Sequence, residues 1–359
     1  MKRFIECLIP VTVCNLKCDY CYVIQHNDRT MQMPKLQLSP KAIGNALNIN
    51  RLGGVYLISI CGAGETLIPR ETTEIVRNIL IQGHYVNVTT NGTLTSRFKE
   101  MVSWDSELRK RLHIAFSLHY IELKRLNLLE RFFQNVRMMR EAGCSVLVQF
   151  NLYDGYVPLL NEIKEICLKE IGALPQVAVT RKESNGSIYF HTEGSDEAYI
   201  KYGREFNSPL WEFTLKNFMY PRREFCYAGD WSTTLNLATG EMTGCYGMGI
   251  KQNIFDNIDK PIRFRAIGKC CRSIYCINSS HFLSLGSIPS LETPTYAQLR
   301  NRSEAGWYSE EMLQFLSGKL TDENHTYTAF QKSCATIVAM PQSMASIIKR
   351  KIMKIVTNE

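Results

Sequence analysis

Cys14-Asn15-Leu16-Lys17-Cys18-Asp19-Tyr20-Cys21 is the stretch that decides how this chain is read. It follows the apolar run Phe4-Ile5-Glu6-Cys7-Leu8-Ile9, which reads as a first strand. Three thiolates in so short a loop can close around one face of a small metal cluster, and the short intervals force the loop to wrap tightly. A four-iron cluster held this way keeps one iron without a cysteine ligand. An open position marks a reactive metal centre rather than a sealed structural one. The alternatives are zinc or scattered buried cysteines, but zinc sites usually show paired CxxC knuckles, which this loop lacks.

Outward from this loop, residues 1–200 read as strands alternating with helices. Candidate strands are 4–9, 55–60, 85–90, 113–118, 145–150 and 176–180, short apolar runs rich in β-branched residues. One intervening helix begins at Ser39-Pro40, a capping serine with proline at the first helical position. Another carries Leu129, Phe132, Phe133, Val136 and Met139 on one face and ends near Gly143. Six such units predict an α/β fold, a partial parallel (β/α)6 barrel. Residues 201–290 form a small cysteine-rich α+β extension, with a hairpin predicted from 233–237, the turn Ala238-Thr239-Gly240, and 241–243. Residues 291–359 read as loop and then helix, with Met344, Ile347, Ile348, Ile352 and Ile355 on one face. That helix is expected to dock on the body rather than lie on a membrane surface.

Composition agrees with a soluble, cytoplasmic protein. Of 359 residues 45% are hydrophobic and 21% charged, no run is long enough to span a bilayer, and residues 1–6 carry no secretory signal. Thirteen cysteines, an odd number, in a reducing compartment point to metal rather than disulfides. The net charge of +8 is diffuse, densest at Arg222-Arg223, at 263–272 and at Lys349-Arg350-Lys351. Solvated surface or an anionic partner explains it. No zinc-finger spacing or aromatic-basic RNA signature is present, so nucleic acid is not an expected partner.

Four later positions carry chemistry at predicted strand ends, where parallel barrels build their active sites. The second strand runs into Cys61-Gly62-Ala63-Gly64-Glu65-Thr66, whose glycines let backbone approach a ligand while Glu65 offers an acceptor. The third ends in Thr89-Thr90-Asn91-Gly92 and the fourth in Phe116-Ser117-Leu118-His119. Arg181 follows the sixth and has the guanidinium geometry to pair with a carboxylate. His119 is either a substrate contact or a packed imidazole.

With these segments in this order, the sequence resembles the radical S-adenosylmethionine superfamily. The resemblance rests on CxxxCxxC with an aromatic residue, Tyr20, before the last cysteine. Gly62-Ala63-Gly64-Glu65-Thr66 is similar to the family's GGEP segment, with threonine in place of proline, and Thr90-Asn91-Gly92 to its TNG segment. The resemblance implies a [4Fe–4S] cluster on Cys14, Cys18 and Cys21 whose open iron binds S-adenosylmethionine. It also implies a flavodoxin- or ferredoxin-type electron donor. Tyr20, Gly62, Ala63, Gly64, Glu65, Thr90, Asn91, Ser117 and Arg181 would then surround the bound cofactor.

A second cysteine group follows. Cys226 precedes the hairpin and Cys245 follows it, while Cys270, Cys271 and Cys276 come later. Gly240 to Cys245 has the spacing of SPASM/twitch extensions, which implies a second [4Fe–4S] cluster on Cys226, Cys245, Cys271 and Cys276. Cys270 is the alternative to Cys271, His281 an outside candidate, and a structural zinc the competing occupant. Cys7, Cys61, Cys144, Cys167 and Cys334 read as packed apolar residues.

A second cluster that accepts an electron makes the reaction oxidative and requires a base, for which Asp230, Tyr246 and His119 are candidates. Relatives with such extensions mostly modify peptides or proteins, so a peptide is the expected substrate. A carbohydrate or nucleotide-linked small molecule is the alternative. A reading from a different class is a non-catalytic cluster module that binds nucleic acid or a partner.

Overall fold

The computed structural model describes residues 1–338 except 185, 186, 247, 272, 274 and 277–281. His281 and the amphipathic stretch from Met344 to Ile355 therefore lie outside the described residues. The six expected strands are β1 (Arg3–Ile9), β2 (Tyr56–Gly62), β3 (Tyr85–Thr90), β4 (Leu112–Ser117), β5 (Ser145–Leu152) and β6 (Gln176–Val179). Each is parallel to its neighbour in chain order, giving the α/β partial barrel. β5 runs two residues further than its apolar pattern because Asn151 and Leu152 pair with Ala178 and Val179 of β6. Beyond β6 comes a short antiparallel hairpin, β7 (Arg181–Ser184) with β8 (Ser187–Phe190).

The cysteine-rich extension extends the same sheet. Its strands β9 (Ser232–Asn236), β10 (Glu241–Thr243) and β11 (Gln252–Asn253) add to the free edge of β1, making nine strands in the order β11-β10-β9-β1-β2-β3-β4-β5-β6. β9 runs parallel to β1, so the backbone groups on that edge of β1 are paired rather than left exposed. The predicted hairpin is the β9–β10 pair, turned at Gly240, whose φ of +75° a side chain rarely adopts.

The two faces of the sheet are told apart by Phe116. Its ring packs against Phe98 and Phe132, from the helices Thr95–Val102 and Leu129–Glu141. Ile114 and Phe116 therefore face the helical layer, and alternation turns His113, Ala115 and Ser117 into the barrel interior. The C-terminal segment does not stand apart from the barrel. Val146 donates to the Trp307 carbonyl at 2.8 Å, and the indole of Trp307 donates to the Ile171 carbonyl at 3.2 Å. Tyr308 and Tyr296 lie edge-on to His113, closing the interior at the N-terminal end of the strands.

Candidate functional site

The cysteine loop sits at the C-terminal end of β1 and is tied to the ends of β2 and β3 by one buried carboxylate. Glu65 is 2% exposed. Its Oε1 accepts from Thr90 Oγ1 at 2.6 Å and from the Leu67 N–H at 3.0 Å, and its Oε2 accepts from the Asn91 N–H at 2.7 Å. Burial pushes its pKa up, while these three donors pull it down. Asn91 passes the restraint on: its Nδ2 donates to Asn15 Oδ1 at 2.8 Å and points to Cys14 Sγ at 3.9 Å. Glu65 and Thr90, expected to touch the cofactor, thus hold the motif ends in register. Beside them Ala63 is exposed, and Gly62 and Gly64 are half-buried.

Backbone contact explains the glycines. The Gly64 N–H donates to the Val11 carbonyl at 2.7 Å, and a Cβ at this position would lie 2.1 Å from the Val13 oxygen. Thr66, standing where the resembled segment has proline, accepts the Gly62 N–H on Oγ1 at 3.0 Å and closes the turn.

Cys14, Cys18 and Cys21 come together in this loop, with Cys18 buried and the other two half-buried. The Leu16 N–H points to Cys14 Sγ at 3.5 Å. Burial above all, then neighbouring thiolates, pushes the Cys18 thiol up, and burial does the same to Cys14. Gathered sulfurs that resist ionisation in an apolar loop suit a bound cation, which reverses that preference.

Tyr20 is buried beneath the loop. Its hydroxyl meets His119 Nδ1 at 2.6 Å and Tyr156 Oη at 3.1 Å, and its ring centroid lies 4.6 Å from that of Tyr153. His119 is held neutral by burial, its pKa lowered to about 4. It packs against Tyr20, with its Nδ1 engaged by that hydroxyl. Ser117 sits half-buried on the interior face at the end of β4. Arg181 opens the β7–β8 hairpin, opposite Phe190.

The second cysteine group also converges. Cys226, Cys245, Cys271 and Cys276 line one cavity, walled otherwise by apolar side chains including Met248, Ile267 and Phe282. Burial, reinforced by the neighbouring sulfurs, pushes Cys226 up to about 12 and Cys245 well above its ordinary value. Cys270 points elsewhere, its Sγ against the Thr336 carbonyl at 3.4 Å. Among the described residues, no three His, Cys, Asp or Glu side chains gather tightly enough for a single metal ion. Cys7, Cys144 and Cys167 are buried as expected, but Cys334 is exposed and Cys61 only half-buried.

A polar row crosses the interior face of the sheet. Thr243, Thr234, Glu6, Ser59, Asn87, His113 and Ser145 are successive register partners on seven adjacent strands. They are joined by Thr234–Thr243 at 2.6 Å, Asn87–Ser59 at 2.8 Å and His113–Asn87 at 2.6 Å. Glu6 is 3% exposed, and the Tyr246 hydroxyl donates to its two oxygens at 3.1 and 3.2 Å. Tyr246 follows Cys245 directly and holds a φ of +31°, a conformation that bulky residues avoid. The sequence reading singled out Tyr246 but passed over Glu6. The available signal was a carboxylate inside the apolar run of β1.

Asp230 is corrected. It lies at the opposite end of the barrel from the Cys14 loop, paired with Arg3 at 3.0 Å and accepting from the Tyr327 hydroxyl at 2.7 Å. Its carboxylate braces the start of β1 and β9 and does not face the cysteine loop.

Residues 8–167 match the model of the Radical SAM superfamily. Among solved structures, the chain is similar to Streptococcus suis SuiB bound to S-adenosylmethionine, with a TM-score of 0.50 and 17% identity over 72% of this chain and 65% of that one. It has a TM-score of 0.50 and 15% identity to SuiB bound to precursor peptide SuiA. Native anSMEcpe with bound AdoMet and Cp18Cys peptide gives a TM-score of 0.50 and 14% identity over 96% of this chain and 99% of that one. The chain thus spans slightly less than two thirds of the length of SuiB and nearly all of anSMEcpe. No curated protein matches. Among the described residues, no helix is long and apolar enough to cross a membrane.

Proposed function

We propose that this enzyme uses S-adenosylmethionine to start an oxidative modification of a peptide, a reading supported by the match of residues 8–167 to the Radical SAM superfamily model. The observation that carries the reading is the Glu65 junction, which binds the Cys14–Cys21 loop, the Gly62–Gly64 turn and the Thr90-Asn91 end of β3 into one rim.

Cys14, Cys18 and Cys21 would hold a [4Fe–4S] cluster, which would supply the one-electron reduction for radical cleavage of S-adenosylmethionine. The chain's own residues do the rest. Gly62, Ala63 and Gly64 offer backbone to the methionine end, while Ser117 presents a hydroxyl from β4. Tyr20, packed on Tyr153 and Tyr156, shields the loop from water. The polar row, with Glu6 and Tyr246, offers hydrogen-bonding groups to a substrate lying between the two cysteine groups. Cys226, Cys245, Cys271 and Cys276 would hold a second cluster with no open position, suited to accept an electron rather than bind substrate. Residues 201–290 would act as this cluster's domain. The peptide assignment is supported by the fold shared with SuiB and anSMEcpe, both solved with peptides.

The test is anaerobic reconstitution with metal counting, then incubation with dithionite and S-adenosylmethionine. Two four-iron clusters predict about eight irons per chain, and about four after Cys14, Cys18 and Cys21 are all changed to Ala. 5′-Deoxyadenosine should form in the wild type and vanish in the triple variant. About four irons plus zinc in the wild type would remove the second cluster. Absence of 5′-deoxyadenosine from fully loaded enzyme would remove the radical reading.

A further inference from the structure

A groove of about 600 Å³ lies outside both cysteine groups, on the surface of the extension. Three cations line it: Arg223, Lys269 and Lys332. Among the described residues, none of the three pairs with a carboxylate. The carboxylate in its wall, Glu224, is already engaged by Arg222 at 3.0 Å and by the Arg223 N–H at 2.9 Å. The Phe225 ring lies under Lys332 Nζ at 5.7 Å, and Tyr220 is exposed at the rim. The groove therefore presents positive charge over an aromatic wall, a field that draws anions.

Its position is set by the segment before β9, where Cys226 makes an isolated bridge to Gly268. Phe225 and Tyr227 line the groove, whereas Cys226 between them lines the cysteine cavity. One thickness of backbone separates the two. The chain's own C-terminal residues 339–359 have the wrong sign to fill it, carrying Lys349, Arg350, Lys351 and Lys354 against Glu359 alone. A nucleic-acid strand would need a longer basic track and open stacking faces, but the Phe225 ring is buried.

We propose that this groove binds an acidic stretch of the peptide substrate, its carboxylates held by Arg223, Lys269 and Lys332. The proposal rests on the peptide reading above.

It is tested by fluorescence anisotropy of labelled hexaglutamate with the reconstituted holoenzyme at near-physiological salt. The variant Arg223→Glu/Lys269→Glu/Lys332→Glu is compared with a control of equal charge change on other faces, Lys41→Glu/Lys99→Glu/Arg131→Glu. Wild type should bind, the groove variant should bind about tenfold more weakly or worse, and the control should stay within about twofold. Arg223→Gln/Lys269→Gln/Lys332→Gln, with iron content measured beside it, should give an intermediate loss if the reversed variant fails to fold. Equal weakening in groove variant and control overturns the proposal, as does no binding by the wild type. Tighter binding of single-stranded oligothymidylate at the same residues also overturns it.

The two readings fail separately. If hexaglutamate does not bind while the wild type still modifies a peptide, the groove is wrong and the peptide reading stands. If hexaglutamate binds at the groove and only a non-peptide substrate is turned over, the peptide reading falls.

Discussion

The Asn91 N–H donates to Glu65 Oε2 at 2.7 Å, joining the end of β3 to the turn after β2 and, through the Asn91 side chain, to the cysteine loop. A buried carboxylate with three donors has no water to replace a lost partner. Glu65→Gln places an N–H₂ against a backbone donor and should cost about 2 kcal/mol. Glu65→Ala, which leaves the donors unpaired, should cost about 3 kcal/mol or more. Urea unfolding measures both losses, and equilibrium dialysis should show S-adenosylmethionine binding weakened in step.

Gly64→Ala drives a Cβ to within 2.1 Å of the Val13 oxygen. Neither the turn nor the segment following β1 can give way cheaply, so a loss of about 3 kcal/mol or more is expected. Thermal melting and iron content at the Cys14 loop report it. An unchanged melting temperature would show that the turn relaxes freely.

The adjacent pair Cys270 and Cys271 separates ligand from bystander. Cys271 faces the cavity with Cys226, Cys245 and Cys276, whereas Cys270 is turned to Thr336. Cys271→Ala should lower iron by up to about four per chain. Cys270→Ala should retain the full complement. The opposite pattern in a metal count rules out this ligand set.

Tyr246→Phe removes the hydroxyl that meets both Glu6 oxygens. Expected are a stability loss of about 1–2 kcal/mol, unchanged iron content, and unchanged 5′-deoxyadenosine formation without substrate. Substrate modification should fall more than this uncoupled cleavage. If both fall equally, the pair braces the cluster loop instead of meeting substrate.

Two buried histidines, His84 and His113, and the half-buried His119 set an acid limit. Burial lowers His84 and His119 to about 4 and His113 to about 3. His84 has no exposed surface and bonds at both nitrogens, to the Tyr56 N–H and the Leu47 carbonyl. The unfolded chain takes up protons first, near pH 6.5, so stability is full above that pH and is lost as pH falls toward 4. His84 alone should account for about 3 kcal/mol. Unfolding free energies across this range should fall steeply for the wild type and less steeply for His84→Gln.

Much of this was legible because local chemistry dictates it. The six strand positions followed from β-branched runs, and the β9–β10 hairpin from its glycine turn. The convergence of Cys226, Cys245, Cys271 and Cys276 followed only in part, because Cys270 and Cys271 are neighbours in sequence and their directions depend on the fold. Asp230 misled for a related reason. Its distance in sequence from Arg3 hid a salt bridge formed when β9 joins the edge of β1.

The sequence by itself determined the strand positions, the thiol loop after β1 and the motif turns at the ends of β2 to β4, since each rests on spacing of two to eight residues and on the backbone freedom of particular glycines. Only the tertiary structure decided what those groups touch. Glu65 proved to hold two motif ends together, and His119 to meet the Tyr20 hydroxyl. Glu6 gained its setting from Ser59 and Thr234 on either side, and from Tyr246, which lies 240 residues away in the chain. Strand alternation can be read locally, but which strands become neighbours is fixed by closure of the sheet. The same pairing lines up a row of polar residues from seven strands.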